Sequence, residues 1–560
     1  MRADRSWLAA GAVLVAVLAA VPTLAVVTRG IAPGAGGTWL HLLQTVLPEM
    51  IANTLALMAI VGTGVIVGGT ACGWLVARHR FPGSRLFEWA LLLPLAMPAY
   101  VMAYAYTDFL QYAGPVQSAL RAAFGLARGD YWFPDVRSLP GAALLFTFAL
   151  FPYVYLLTRV AFLERSPSLV EAARTLGLDR RATFWRVDLP LARPAIAGGA
   201  ALALMETLAD FGTVSYFGVP TFTTGIYRAW FSLGDRAAAA QLASALLLFV
   251  ATVLVVERSS RGAGRTHNAA RGKTMLDAAR EPLRGVPAVL ATTLCGVAVT
   301  VGFVLPVLIL VRLVWADADV AFDTRFLTWM GNSLTAAGAA AWLCVLLAIL
   351  VAYALRLTPG LPMRMASRAL TMGYAVPGTV LAIGVLLPLG ALDAFYADWR
   401  RSVTGVSPGL LLTGSIAALV YAYVVRYFAV AWNAVEPGFA RITPAMDAAA
   451  RSLGVGAAGT LFRVHAPLLL RSAAAALLLT FVDVMKELPA TLILRPFNFD
   501  TLATQAYQLA RDERLAEAAV PSLAIVAVGL VPIMLLARLA RRGPPREAAA
   551  RSSAVAAGHA

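Results

Sequence analysis

Charge is scarce in this chain: Asp, Glu, Lys and Arg together make up 14% of its 560 residues. A soluble domain carries about 25% charged residues, so a water-soluble enzyme and a disordered scaffold are both poor fits. Cysteine is nearly missing, which makes a disulfide-stapled module an equally poor fit. The three thiols, Cys72, Cys295 and Cys344, show no C-x-x-C spacing and lie inside apolar runs, where they read as packed side chains. Lysine is confined to Lys273 and Lys486, every other basic residue being Arg, which reads as the bias of a GC-rich genome. The five histidines are scattered and outline no metal cluster in the linear sequence.

What the chain has instead is apolar length. Hydrophobic residues make up 60% of it, and the mean hydropathy is +0.74. The excess falls into runs of about 20 residues, the length that crosses ~30 Å of hydrocarbon as a helix. Twelve such runs are predicted, six of them at about 7–28, 51–77, 86–108, 141–163, 195–216 and 238–256. The other six lie at about 288–314, 330–355, 366–390, 409–433, 470–494 and 518–538. The run from Trp7 to Val27 resembles a signal peptide, but it opens a series of spans and reads as a retained first one.

The net charge of +16 follows the positive-inside rule better than it follows a phosphate-binding face, so no nucleic-acid partner is expected. A cytoplasmic N-terminus puts Arg78, Arg80 and Arg85, the stretch Arg159 to Arg193, and Arg356, Arg364 and Arg368 all inside. Loops on the other side are mixed or acidic, such as that of Asp317, Asp319 and Asp323. Both termini are therefore expected in the cytoplasm. A polar segment near the middle divides the chain into a first half, 1–257, a cytoplasmic linker, 258–287, a second half, 288–542, and a disordered tail, 543–560. Gly272-Lys273-Thr274 imitates the end of a phosphate-binding loop, but His267 stands where the first Gly belongs and no strand precedes it.

The two halves repeat each other. Asn53-Thr54-Leu55 returns as Asn332-Ser333-Leu334, and Pro98 as Pro377, at an offset of 279. Arg174, Leu176, Gly177, Arg186 and Pro190 return as Arg451, Leu453, Gly454, Arg463 and Pro467 at an offset of 277. At that same offset Glu206 falls on Asp483, Asp210 on Glu487, Phe222 on Phe499, Thr224 on Thr501 and Asp235 on Asp512. Six spans per half is an even number, so the halves are parallel repeats with a pathway expected between them.

The most specific signal is a repeated loop between spans. Its first copy runs Glu171-Ala172-Ala173-Arg174-Thr175-Leu176-Gly177 and on to Pro190; its second runs Ala448-Ala449-Ala450-Arg451-Ser452-Leu453-Gly454 and on to Pro467. Ser166-Pro167 and Thr443-Pro444 supply an N-cap hydroxyl before an N1 proline, and Gly177 and Gly454 suit a left-handed C-cap. Small alanines leave a surface on which another protein can close. The prolines are expected to kink the chain into the next span.

This loop resembles the EAA loop of binding-protein-dependent ABC importer permeases, which have the MetI-like membrane fold. The resemblance implies an all-α polytopic protein of about twelve spans in two parallel six-helix repeats, set in a bacterial inner membrane. It implies that Glu171, Ala172, Ala173, Gly177 and Pro190, with Ala448, Ala449, Gly454 and Pro467, dock two copies of a cytoplasmic ATPase. ATP and Mg would bind on that ATPase; the chain would be a transport subunit without cofactor or ATP site of its own. A solute-binding protein would deliver substrate from outside. The second copy departs from the pattern: Ala448 stands in the place of Glu171, with Asp447 one residue earlier. Two fused halves, Glu206-Thr-Leu-Ala-Asp-Phe-Gly-Thr213, and Lys486-Glu-Leu-Pro-Ala-Thr-Leu492 with Arg495-Pro-Phe-Asn498 look like the ferric-iron group; fused permeases for thiamine or phosphonates share the architecture. A secondary transporter would show ionisable residues through several spans and no paired docking loops.

Glu206 and Asp210 lie four residues apart on one helix face, and Asp483 and Glu487 repeat them. Charges there are too costly to face lipid. They either line a cation path between the halves, where oxygen ligands suit a ferric ion, or cap broken helices and pair locally, as Asp483 would with Lys486. Gly212 and Pro489, at matching places, suggest such breaks.

Overall fold

The computed structural model describes residues 2–32, 36–127, 129–164, 173, 175–260, 280–316, 324–406 and 409–541. Among the described residues eleven helices are long and apolar enough to cross a membrane, and a bent pair, taken as one span, brings the number to twelve. In the first half these and their connecting helices are α1 (Arg2–Ile31), α2 (Leu47–Arg78), α3 (Ser84–Ala90), α4 (Ala99–Leu110), α5 (Leu139–Glu164), α6 (Leu189–Ala209), α7 (Gly212–Tyr216), α8 (Phe222–Tyr227) and α9 (Arg236–Ser260). The second half runs α10 (Val286–Ala316), then α11 (Thr324–Leu357), α12 (Leu361–Met372), α13 (Gly378–Thr404), α14 (Ile416–Ala440), α15 (Pro444–Ser452), α16 (Ala466–Met485), α17 (Pro489–Leu494), α18 (Leu502–Arg511) and α19 (Leu515–Arg541). The protein is an all-α polytopic membrane protein built from two like halves.

Several spans sit elsewhere than hydropathy places them, and prolines explain most of the shifts. The expected span 86–108 is two helices, Ser84–Ala96 and Ala99–Phe124, bent by 91°. Pro98 between them is extended, with φ −61° and ψ 140°, and its ring denies the helix an N–H. Pro377 does the same at ψ 142°. The span expected at 366–390 is therefore α13, Gly378–Thr404. Residues 361–372 form the amphipathic α12 instead, burying Met363, Ala366 and Leu370 and exposing Arg364 and Arg368. The span expected at 409–433 is α14, and the one expected at 195–216 breaks off at Asp210.

The repeat is visible in hydrogen bonds. Asn53 Nδ2 donates to the Pro220 carbonyl at 3.0 Å, and Asn332 Nδ2 to the Asp500 carbonyl at 2.9 Å. Capping boxes open α8 at Thr221/Thr224 and α18 at Thr501/Thr504. These pairs stand 280 apart, so Thr224 answers to Thr504 and not to Thr501 as the sequence ladder has it. The loop through Arg495 and Asp500, which form an ion pair, absorbs the extra residues. Further on, Gly234 and Glu513 share a positive φ, 65° and 62°, which sets Asp235 opposite Arg514 in place of Asp512.

The first span of each half packs on the other half. Helix α1 lies against α12 and α13 as well as α9, and the Tyr421 hydroxyl donates to the Leu18 carbonyl at 2.6 Å. A Cβ at Gly384 would stand 2.3 Å from the Pro22 carbonyl oxygen, so α1 reaches α13 only because glycine is there. Helix α10 in turn packs on α4 and α19, and Tyr106 donates to the Val301 carbonyl at 2.6 Å. The distal end of the linker is also fastened. His79–Arg80 pairs with Glu281–Pro282 as a two-residue parallel ladder, and Glu88 bridges Arg280 at 2.6 Å and Arg159 at 3.0 Å. Lys273 with its neighbours, the acids Asp317, Asp319 and Asp323, and the tail from 543 lie outside the described residues.

Candidate functional site

The loop helices end as their glycines require. Gly177 and Gly454 both have φ +76°. Leu178 N–H donates to the Ala173 carbonyl at 3.0 Å and Val455 N–H to the Ala450 carbonyl at 3.0 Å, the six-to-one bond of a Schellman cap. Nothing lies within 4 Å of a Cβ built at either glycine, so conformation and not space selects the residue. Glu171 and Ala172, with Ser166, Pro167 and Arg174, lie outside the described residues.

The small-residue surface is only partly where the sequence puts it. Ala448 and Ala449 are exposed, but Ala173 is buried, like its counterpart Ala450, and faces the body of the protein. The outward apolar groups are larger: Leu176 and Leu453 are 80% and 81% exposed, and Trp185 and Phe462 are 59% and 72% exposed. All four repeat at the 277 offset, a signal the sequence offered. Thr443 is extended, but its hydroxyl makes no cap bond; the fixed φ of Pro444 opens α15 by itself.

Asp447 is an inward anchor. It accepts from Arg356 Nε at 2.7 Å and lies 2.7 Å from His465 Nε2. Arg356 Nη2 also donates to the Ile442 carbonyl at 2.8 Å, so one guanidinium ties α15 to the end of α11. Burial raises the Asp447 pKa, but the bonds from Arg356 and His465 outweigh it and hold the carboxyl below its usual range.

Pro190 and Pro467 do not kink the chain into separate helices. Each follows a π-turn, Phe184–Asp188 or Leu461–His465, closed by Leu189 N–H to the Phe184 carbonyl and Ala466 N–H to the Leu461 carbonyl. The widened turn absorbs the missing proline donor. Continuous helices of 29 residues each result, Arg181–Ala209 and Ala457–Met485.

Both helices end at a cavity of about 120 Å³ between the halves, which Glu206, Asp210, Asp483 and Glu487 all line. Two of these carboxylates are spent on helix starts. Asp210 Oδ1 accepts from Thr213 N–H at 2.9 Å and Val214 N–H at 3.3 Å, opening α7. Glu487 accepts from Ala490 N–H at 2.9 Å and Thr491 N–H at 3.0 Å, opening α17. The local pairing expected of Asp483 and Lys486 is present at 2.8 Å. Glu206 Oε1 accepts from the Tyr374 hydroxyl of the other half at 3.1 Å. The tyrosines of this wall, Tyr100, Tyr153, Tyr374 and Tyr427, and Arg426 were not singled out from sequence; they sit in apolar spans where aromatics are ordinary.

Two like-built halves around a cavity lined by four carboxylates, with a pair of glycine-turned loops before the helices that reach it, make a membrane permease. Residues 66–259 match the family described as the binding-protein-dependent transport system inner membrane component. It is 26% identical to the Fe(3+)-transport system permease protein FbpB 2 of Haemophilus influenzae, over 95% of this chain and 98% of the relative. It is 25% identical to the ferric transport system permease protein FbpB of Actinobacillus pleuropneumoniae, over 84% and 68%. The molybdenum transport system permease protein ModB of Escherichia coli is 29% identical over 39% of this chain and 93% of its own length.

Proposed function

We propose that this chain carries ferric iron into a bacterial cell as the membrane subunit of an ATP-driven importer. Two copies of a cytoplasmic ATPase dock on the loops that end at Gly177 and Gly454, one per half, and hold the ATP and Mg. A solute-binding protein delivers cargo at the opposite face. The halves 1–257 and 288–542 are the two moving bodies, joined by the linker 258–287, with both termini in the cytoplasm.

The observation that carries this reading is mechanical continuity. Each docking loop leads, through a π-turn, into one unbroken helix whose far end lines the central cavity. A displacement at Arg181 or Ala457 is thereby delivered to Glu206 or Asp483 along one continuous helix. The metal is favoured by the names of the relatives that match nearly the full chain.

Reconstitution in proteoliposomes with the ATPase and the binding protein tests it. ATP-dependent accumulation of radioactive iron, absent without the ATPase, is the expected result. Hydrolysis stimulated by thiamine or a phosphonate but never by iron would reassign the cargo.

A further inference from the structure

A second cavity, of about 300 Å³, lies on the side away from the loop helices. Arg137, Arg228 and Arg511 line it with Tyr216, Tyr227 and Tyr507, and no carboxylate among the described residues does. The Arg137 guanidinium lies 4.9 Å from the Tyr216 ring centroid. Phe211 belongs to this cavity and its neighbour Asp210 to the central one. The Phe211 ring stands 4.7 Å from that of Tyr227 and 5.7 Å from that of Tyr507, so an aromatic partition separates the two spaces.

Behind the partition stands Arg426, midway along α14 and 5% exposed. At the 277 offset its counterpart is Ala149, so this cation belongs to one half alone. Among the described residues neither its Nε nor its Nη1 has a hydrogen-bond acceptor. Glu487 Oε1 stands 4.0 Å from Nη1, and both oxygens of that carboxylate already accept from the start of α17. A Cβ at Gly378 would come within 2.5 Å of Nη1, so glycine makes room for the guanidinium. A buried guanidinium with open donors is expensive inside a membrane, and its planar fork suits oxygen anions.

We propose that cargo crosses this permease as an oxygen-rich anion. The three vestibule arginines collect it, and Arg426 receives it in the central cavity. Ferric iron then passes as an anionic complex with oxygen ligands, whose oxygens take up the open donors of Arg426. The identity of the metal rests on the function proposed above; the anion site stands without it.

The test uses the whole transporter, with ATPase and binding protein, in proteoliposomes given either iron as ferric citrate or molybdate. R426Q is expected to lower iron uptake at least tenfold, R426K to restore much of it, and R228Q/R511Q to raise the half-saturating concentration. Added salt should slow the wild type more than R228Q/R511Q, because screening acts on the steering charges. Co-purification with the ATPase checks folding of every variant. Iron uptake indifferent to both R426Q and R228Q/R511Q overturns the anion site while leaving the ferric reading intact. Failure of R426K to rescue, with R228Q/R511Q normal, overturns it as well. Uptake of molybdate that depends on Arg426, without iron uptake, sustains the anion site and removes iron as cargo.

Discussion

Glu206 and Tyr374 join the two halves across the central cavity, the tyrosine hydroxyl donating to the carboxylate at 3.1 Å. Tyr100 returns the connection, its hydroxyl donating to the Lys486 carbonyl at 3.3 Å. Both bonds cross the surface along which the halves must part if the cavity is to open. They are therefore the natural restraints on the resting arrangement.

Removing one restraint should show in the idle enzyme complex. A hydrogen bond to a charged group contributes about 1.5–3 kcal/mol, so Tyr374→Phe should shift the resting equilibrium by roughly tenfold or more. The expected readout is higher ATP hydrolysis by the assembled complex without binding protein or cargo. Unchanged hydrolysis would mean that this bond does not hold the resting state.

The two loop glycines make the docking assignment testable. An L-residue in the left-handed region costs roughly 1–2 kcal/mol, more with a branched Cβ, and both glycines sit at φ +76°. Gly177→Val and Gly454→Val should insert normally, since no span is touched, yet fail to retain the ATPase on co-purification. Gly454→Asn should retain it better, because Asn tolerates this conformation. Normal transport by both valine variants would remove the loops from the docking surface.

Asp447 predicts a pH dependence with a definite sign. Its folded pKa lies below the ordinary carboxylate value, so its contribution is present above about pH 4 and lost as pH falls through the depressed value. Amide exchange along α15 should stay protected across neutral pH and loosen only in acid. In Asp447→Asn the same amides should exchange faster already at neutral pH. Equal protection in the two proteins would show that the Arg356 and His465 contacts do not anchor the helix.

Much of this architecture was legible without coordinates, because lipid imposes length and charge rules on the chain. Apolar runs, the arginine bias and the repeated Arg-x-Leu-Gly loops arise from local constraints: span length, loop charge and the left-handed cap at Gly177 and Gly454. Where a proline or a turn intervenes, local reading failed. The extended Pro377 moves a span onto Gly378–Thr404, whereas the π-turn before Pro467 keeps a helix whole that proline alone would break. Only the tertiary structure could sort the four membrane carboxylates. Asp210 and Glu487 differ from Glu206 and Asp483 by what lies three and four residues ahead in space, the free N–H groups of α7 and α17, and not by residue type. The same holds for the exchange of α1 and α10 between halves and for Arg426, whose open donors face a cavity made by distant segments. Hydropathy reports what each stretch of chain prefers as a solvent; which partner it meets there is set by packing across the whole molecule.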